Sequence, residues 1–338
     1  MAKVVTFGEV LLRLTTPRHE RLSQARSFDV IYGGSECNVA VSLALFGHQA
    51  SYVSASPPND VGQAAINYVR QFGVDTSHVL RHGRRLGLYY LEIGAGLRAS
   101  KVVYDRVGSA ASELRPGMID WPAVFVSKEW FHFSGITCAL SEGAAATVAE
   151  AAGAARKAGL TVSCDFNYRA TLWTVEKAKS VMGPIMKHVD VAIGSGRDPV
   201  LQGLIGRDGN IPPGQRTPEA YRPFIEAAVA TLGFKKVALT VRDIHTTDRN
   251  TWLGVFFDGA GIAQSRTYEL DIVDRVGGGD GFTAGIIHGI ASGFDRQRTV
   301  DFAVAAGGLA HTIHGDFNLV TADEVDAVVR ASGGDVRR

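Results

Sequence analysis

Short runs of β-branched and aromatic residues recur along the chain and predict strands. They are KVVTF (3–7), QASYVSA (49–55), WFHFSG (130–135), LTVSCDF (160–166), VDVAIG (189–194) and KKVALTV (235–241). The remaining segments with helical periodicity are 36–46, 60–72, 142–158, 175–188, 217–232, 280–292, 296–313 and 322–331. Because strands alternate with helices at this rhythm, the pattern predicts an α/β fold whose parallel sheet is covered by helices on both faces.

The alternation is interrupted at about residues 10–32 and 85–106, where extended runs follow one another without a helix. These runs are SFDVIYGG, LGLYYLEIG and SKVVYDR, and AGLRA joins the last two as in a hairpin. They form either edge strands of the main sheet or a small antiparallel sheet outside it. The second arrangement would serve as a lid that excludes water from a site. No internal repeat or linker divides the sequence, so we expect a single domain over 1–338.

Composition and charge narrow the class of partner. The 338 residues are 46% hydrophobic and 20% charged, and 35 basic against 34 acidic residues leave a formal charge of +1. This balance gives no reason to expect nucleic acid or a membrane as partner. The N-terminal apolar run is too short to be a good signal peptide and is better interpreted as the first strand. Cys37, Cys138 and Cys164 show neither CxxC spacing nor a disulfide framework. Free thiols in the cytoplasm are therefore expected.

The stretch DRVGGGDGF (274–282) places four glycines around Asp280, directly before an apolar helical run. A helix N-terminus presents unpaired amides that suit an anion, and glycine lets the backbone approach it closely. The amides of Gly277, Gly278, Gly279 and Asp280 could converge on one oxyanion. The Asp280 carboxylate could accept a proton from an attacking hydroxyl. Phosphoryl transfer needs both of these groups together.

Two other interpretations of this loop compete. An aspartate after glycines is also typical of an ordinary helix start. A dinucleotide loop is disfavoured, because the third glycine of GxGxxG is missing and no acidic residue follows on a strand end about 20 positions later. A P-loop is excluded by the absence of GxxxxGK[ST].

The loop resembles the C-terminal signature of the ribokinase-like (PfkB) carbohydrate kinases, DxVGxGDxF. The segment YGGSECNVAVSLALFG (32–47) resembles their N-terminal signature, about 240 residues earlier. Segments such as VVTFGEVLLRL, KVVYDR and VSCDFNYRATLW most resemble the 2-keto-3-deoxygluconate kinases of that family. The resemblance implies a three-layer α/β/α sandwich with a mainly parallel central sheet and a small antiparallel β lid. It also implies transfer of the γ-phosphoryl group of ATP, with Mg²⁺, to the C6 hydroxyl of the sugar acid.

The resemblance also implies which residues form the site. Its substrate-binding positions are Gly33, Gly34, Asn38, Tyr89, Tyr104, Arg106, Arg169 and Asp316. Its ATP-binding positions are Asn167, Ser195, Thr240 and Arg242. A carboxylate on the sugar favours a bidentate arginine, and Arg106 and Arg169 follow strands at the end where ligands bind in an open α/β sheet. Without the resemblance, these arginines would be ordinary surface charges and the tyrosines ordinary packing.

One segment, GSGRD (194–198), departs from the family pattern. Ser195 replaces a usual asparagine, and Asp198 retains an acidic group that we expect to contact the metal through water. Gly196 and Arg197 stand where acidic residues are common. Two alternatives to the sugar-acid kinase therefore remain: a kinase for a neutral sugar of the fructose or ribose type, or a member that binds sugar acid or nucleotide without efficient turnover.

The lid strands also predict a homo-oligomer, because exposed strands of one subunit can pair with those of another.

Overall fold

The alternation of strands and helices is confirmed in the computed structural model of the chain, which describes residues 1–330. The strands are β1 (Lys3–Phe7), β2 (Leu11–Thr15), β3 (Asp29–Gly33), β4 (Gln49–Ser56), β5 (Val79–Arg81), β6 (Gly87–Glu92), β7 (Lys101–Asp105), β8 (Trp130–Ser134), β9 (Thr161–Asp165), β10 (Val191–Ser195), β11 (Lys236–Ile244), β12 (Arg249–Phe257), β13 (Ile262–Gln264) and β14 (Tyr268–Asp271). The helices are α1 (Ser35–Leu45), α2 (Asp60–Arg70), α3 (Trp121–Val124), α4 (Gly135–Ala139), α5 (Glu142–Lys157), α6 (Val175–Met186), α7 (Pro199–Ile205), α8 (Pro218–Leu232), α9 (Gly278–Ala291), α10 (Arg296–Ala310) and α11 (Ala322–Arg330).

The large sheet is mainly parallel, as predicted. Its strand order is β13-β12-β11-β10-β9-β8-β1-β4-β5, and β14 also pairs with β12. The strands from β5 to β11 in this order run parallel to their neighbours. At the other edge, β12 is antiparallel to β11, β13 and β14. These antiparallel strands were missed, although the apolar run TWLGVFF followed by a turn at 258–261 is typical of a hairpin.

The core lies on both faces of the large sheet, because successive side chains of a strand point to opposite faces. In β1, Val5 and Phe7 belong to a cluster that includes residues of α3, α5, α6, α7 and α8. Val4 belongs to a second cluster that includes residues of α1, α2, α9, α10 and α11. The two clusters confirm the three-layer α/β/α arrangement.

The remaining strands form a four-stranded sheet, called the small sheet below, in the order β3-β2-β6-β7. Its β2–β3 and β6–β7 pairs are antiparallel hairpin-type pairs, and the central β2–β6 pair is parallel. The expected second sheet from about 10–32 and 85–106 is thus present. The inner face buries Leu11, Tyr89 and Leu91 in a cluster of its own.

Two further expectations concern the chain as a whole. In the part of the chain that the structure describes, no helix has both the length and the apolar character needed to cross a membrane. Cys37, Cys138 and Cys164 are free and buried. The single domain over 1–338 stays a prediction, and its last residues lie outside the described range.

Candidate active site

A cavity of about 980 Å³ lies between the small sheet and the carboxyl ends of the parallel strands. Asp165 and Ser195, the last residues of β9 and β10, line its floor, and Tyr89 and Tyr104 of the small sheet line its roof. Ligands of open α/β sheets bind at this end of the strands. The cavity is therefore the candidate active site.

The glycine loop enters this cavity at the start of α9. Gly277 precedes the helix with a φ of 85°, and a Cβ atom there would lie 2.2 Å from the carbonyl oxygen of Asp316. Only glycine tolerates both conditions. The first-turn amides of a helix have no intrahelical partner, and within residues 1–330 no capping side chain accepts from those of α9. Gly277, Gly279 and Asp280 line the cavity, whereas Gly278 faces the ring of His311.

The Asp280 carboxylate is held by two hydrogen bonds from α1. Ser35 Oγ donates to Oδ1 over 2.7 Å and Asn38 Nδ2 donates to Oδ2 over 2.6 Å. Burial raises the pKa of Asp280 from 3.8 to about 7, against the hydrogen bonds from Asn38 and Ser35 and the charge of Arg169. A carboxyl with a pKa near 7 can exchange a proton with a substrate at neutral pH.

A second carboxylate, Asp165, ends β9 beside Asp280. It accepts the amide of Asn167 over 3.1 Å and the hydroxyl of Thr283 over 3.4 Å. Burial, together with the charges of Asp280 and Asp198, raises the pKa of Asp165 to about 8. Sequence reasoning missed this residue, although an aspartate directly after the buried strand LTVSC was a usable sign.

Asp198 has a structural role in addition to any ligand role. Its Oδ1 accepts the amides of Val200 and Leu201, which caps α7, and its Oδ2 accepts the Tyr168 amide over 3.3 Å. Burial raises the pKa of Asp198. Within residues 1–330 no group of three or more acidic, cysteine or histidine side chains is placed to hold a metal ion. Asp165 and Asp198 nevertheless repel one another, which fits a Mg²⁺ ion held mainly by phosphates and water.

Two arginines, Arg169 and Arg242, line part of the wall of the same cavity. Arg169 is exposed, and its guanidinium donates to the Tyr168 carbonyl over 3.0 Å. Arg242 lies over the Trp252 ring, 4.6 Å from its centroid. Burial lowers the pKa of Arg242 to about 10, and the charges of Arg275 and Arg169 contribute. Among the described residues no carboxylate forms a salt bridge with Arg169 or Arg242, so this wall suits an anion.

The predicted sugar end contains a paired arginine. Both Nε and Nη2 of Arg106 lie on Glu9 Oε2, at 2.7 and 2.6 Å, and the guanidinium lies 5.4 Å from the Tyr104 ring centroid. Ser109 also donates to Glu9. The sequence analysis did not predict a partner for Arg106 within the protein. Glu9, which closely follows β1, is that partner and was missed.

The family follows from comparison with known proteins. Residues 1–199 match the family described as pfkB family carbohydrate kinase. The chain belongs to this family. It is 31% identical to the 2-dehydro-3-deoxygalactonokinase of Haloferax volcanii, over 99% of this chain and 98% of that one. The protein is thus an ATP-dependent sugar kinase.

Solved structures agree with this assignment. The 2-dehydro-3-deoxygluconokinase of Thermotoga maritima superposes with a TM-score of 0.93 at 43% identity, covering 98% of this chain and 100% of that one. A PfkB family carbohydrate kinase of Listeria grayi superposes with a TM-score of 0.88 at 33% identity, covering 97% of this chain and 100% of that one. These neighbours confirm the ribokinase-like fold.

The cavity of the kinase gathers most of the residues predicted for the site. Those that line it are Gly34, Asn38, Tyr89, Tyr104, Arg106, Asn167, Arg169, Ser195, Asp198, Thr240, Arg242, Gly277, Gly279, Asp280 and Asp316. Gly33 and Gly278 do not line it and instead lie against Asp316 and His311. The role of each residue stays a prediction.

The polar residues predicted for ATP also bond to one another or to nearby backbone. Asn167 has a φ of 40° and donates to Ser35 Oγ over 3.0 Å. Ser195 Oγ accepts the Arg197 amide over 3.1 Å, and Thr240 donates to the Gly194 carbonyl over 3.2 Å. These contacts fix the side chains at the edge of the cavity, where a nucleotide could reach them.

Proposed function

We propose that the kinase transfers the γ-phosphoryl group of ATP to the C6 hydroxyl of 2-keto-3-deoxygluconate. The observation that carries this proposal is one cavity that holds a buried carboxyl, Asp280, at a glycine-rich helix start together with an exposed arginine, Arg169, that forms no salt bridge with a carboxylate of the described residues. The first suits phosphoryl transfer to a hydroxyl, and the second suits an acidic sugar. The sugar-acid substrates named for relatives from Haloferax volcanii and Thermotoga maritima support the same substrate class.

In the proposed reaction, Asp280 accepts the proton of the C6 hydroxyl as that oxygen attacks the γ-phosphorus. The bond between the γ-phosphorus and the β–γ bridging oxygen breaks, and ADP leaves. Ser35 and Asn38 hold the carboxylate in position through the hydrogen bonds they donate. The amides of residues 277–280 receive the charge that develops on the transferred group.

The nucleotide is proposed to lie along the wall formed by Asn167, Ser195, Thr240 and Arg242. Arg242 offers a cation to the phosphates, and no carboxylate of residues 1–330 forms a salt bridge with it. Asp165 and Asp198 would hold Mg²⁺, Asp198 through water, and the ion would neutralise phosphate charge. The chain itself places Asp165 at the end of β9 and Asp198 at the N-cap of α7, in the turn that follows β10.

The sugar acid is proposed to bind under the small sheet. Arg169 pairs with its carboxylate, and Arg106 adds a guanidinium that Glu9 holds in a fixed orientation. Asn38, Asp316 and the backbone at 33–34 bind its hydroxyls. Tyr89 and Tyr104, whose ring centroids lie 5.9 Å apart, separate it from solvent.

The test is an ADP-release assay with ATP, Mg²⁺ and a panel of sugar acids and neutral ketoses, followed by NMR of the product. We expect turnover of the sugar acid and phosphorus coupling to the two C6 protons. Phosphate on another hydroxyl would overturn the C6 assignment, and faster turnover of fructose or ribose would overturn the sugar acid. Thermal stabilisation by the ligands without ADP release would show a binding protein instead of a kinase for these sugars.

We also propose that the small sheet pairs with that of a second copy of the chain. Its outer face carries Leu14, Val30, Tyr90 and Val103, which lie side by side in the strand register. Val30 is 59% exposed and Val103 is 40% exposed. A contiguous apolar face of this kind is typical of a protein interface. Light scattering of the purified protein tests it, and a monomer at micromolar concentration would contradict it.

A further inference from the structure

The inner face of the small sheet carries a guanidinium that the proposed reaction does not use. Arg13 of β2 is fully buried. Its Nη2 lies 2.5 Å from Asp274 Oδ2, its Nη1 lies 2.7 Å from Asp316 Oδ1, and its Nε donates to Thr15 Oγ1 over 2.6 Å. Although burial alone would lower the pKa of Arg13, the charges of Asp316, Tyr89 and Asp274 outweigh it and raise that pKa. Arg13 is therefore a permanent cation shared by two carboxylates.

The two carboxylates belong to different segments at the edge of the cavity. Asp274 opens the glycine loop, where its Oδ1 accepts the Val276 amide over 3.1 Å. Its Oδ2 also accepts the Gly315 amide over 3.1 Å. Asp316 accepts the Tyr89 hydroxyl over 2.8 Å, and its own carbonyl lies against Gly277. One side chain thus joins the small sheet, the glycine loop and the segment after α10.

This connection resists separation. Breaking a buried ion pair leaves an uncompensated charge and is strongly unfavourable. The small sheet cannot move away from the glycine loop without separating Arg13 from Asp274 and Asp316, which would then lose the guanidinium they share. A lysine keeps the charge, but it lacks the planar fork that contacts two carboxylates at once.

We propose that Arg13 is a positioning residue that couples the position of the small sheet over the sugar to the geometry of the glycine loop. When the small sheet packs over the sugar, Arg13 holds Asp274 in place. Asp274 in turn holds the Val276 amide, so that the amides at 277–280 face the transferring group. The inference rests on the proposed role of those amides. It does not depend on which sugar is phosphorylated.

The experiment compares Arg13→Lys, Asp274→Asn and the double variant with the wild type. Arg85→Lys is the matched control, because Arg85 also pairs with an aspartate of the small sheet, Asp105, but at the exposed surface. Measured with the best wild-type sugar, kcat of Arg13→Lys and of Asp274→Asn should fall roughly 10- to 100-fold, as for a misplaced reacting group. The double variant should be no worse than the single ones, because both act on one connection. Arg85→Lys should keep the wild-type kcat.

Several outcomes would overturn the coupling. A lower melting temperature with unchanged kcat in Arg13→Lys would show a purely structural ion pair. Should Arg13→Lys fail to fold, Asp274→Asn still retains the Arg13–Asp316 pair, and unchanged kcat in that variant would be equally decisive. Losses that multiply in the double variant would show independent effects.

Hydrogen exchange separates this inference from the proposed reaction. The amides at 276–281 should exchange faster in Arg13→Lys than in the wild type or Arg85→Lys, whether or not a sugar acid is turned over. Unchanged exchange would count against the coupling. Absence of turnover in the wild type would refute only the proposed function.

Discussion

Replacing Asp280 by asparagine removes the proposed base while changing the shape of the site very little. The amide oxygen of asparagine can still accept from Asn38 Nδ2, and its amide nitrogen can donate to the Ser35 hydroxyl. Neither partner is therefore left unpaired. The substitution removes the proton acceptor and leaves the hydrogen-bonded frame in place.

The size of the effect follows from the surroundings of the carboxyl. Loss of a general base costs about 10²- to 10⁴-fold in rate, and we expect kcat of Asp280→Asn to fall within this range. The free energy of unfolding should rise in this variant, although its kcat falls. Raising the pKa of Asp280 from 3.8 to about 7 corresponds to about 4 kcal/mol of stability that the folded state loses as the pH rises from 3.8 to about 7. Asparagine avoids this loss, so the variant should be the more stable protein at pH 8, with the difference vanishing below pH 3.8.

The assay is ADP release over a range of sugar concentrations at saturating ATP, together with urea unfolding across the same pH range. Wild-type kcat/KM for the sugar, which reports the enzyme before the sugar binds, should rise with pH until the base is deprotonated near the pKa of about 7. This limb should be absent in Asp280→Asn, and KM for the sugar should stay within about threefold, because a base acts in the transition state rather than in binding. Turnover within about tenfold of wild type would refute the role of Asp280 as the base.

Four further predictions test other parts of the structure. Arg169→Ala should raise KM for the sugar acid about 10- to 100-fold and leave KM for a neutral sugar unchanged, since a hydrogen bond to a charged group contributes about 1.5–3 kcal/mol; equal losses for both sugars would rule out the carboxylate contact. Gly277→Ala should lower both kcat and the melting temperature, because its φ is 85° and its Cβ would meet a carbonyl oxygen at 2.2 Å; wild-type values for both would refute this geometry. His288 lies 2.8 Å from the His48 ring nitrogen, and burial lowers the pKa of His288 to about 4. The unfolding free energy should therefore drop by about 3 kcal/mol more in the wild type than in His288→Gln as the pH falls from 6.5 to 4. Parallel pH profiles of the two proteins in urea unfolding would contradict this prediction. Val30→Glu should convert the proposed dimer to a monomer in light scattering, and an unchanged mass would place the interface elsewhere.

The fold was largely predictable because its signals are local. Each parallel strand from β1 to β11 that carries a β-branched run was predicted within a few residues, and so were the longer helices, which follow simple periodicity. The short helices α3, α4 and α7 and the three-residue strand β5 were not predicted. The antiparallel edge formed by β12, β13 and β14 was not predicted. Its strands depend on pairing with β11 and with one another, and β13 and β14 are too short to show a pattern.

The site was predictable only in part. Asp280 and the glycines form a compact motif, so their position at the start of α9 could be expected. Arg13 could not be assigned a role, because its carboxylate partners lie 261 and 303 residues further along the chain. Only the folded topology brings such partners together, and the same holds for the Glu9–Arg106 pair, 97 residues apart.

The most direct test of the sugar-acid assignment is the ratio of kcat/KM for 2-keto-3-deoxygluconate to that for 3-deoxyfructose, which carries a hydroxymethyl group in place of the carboxylate. The two molecules share the C6 hydroxyl and differ at the group that Arg169 is proposed to bind. We predict a ratio of at least about 100, since a site built around a charged partner discriminates strongly against its loss. A ratio near one, or preference for the neutral sugar, would contradict the account.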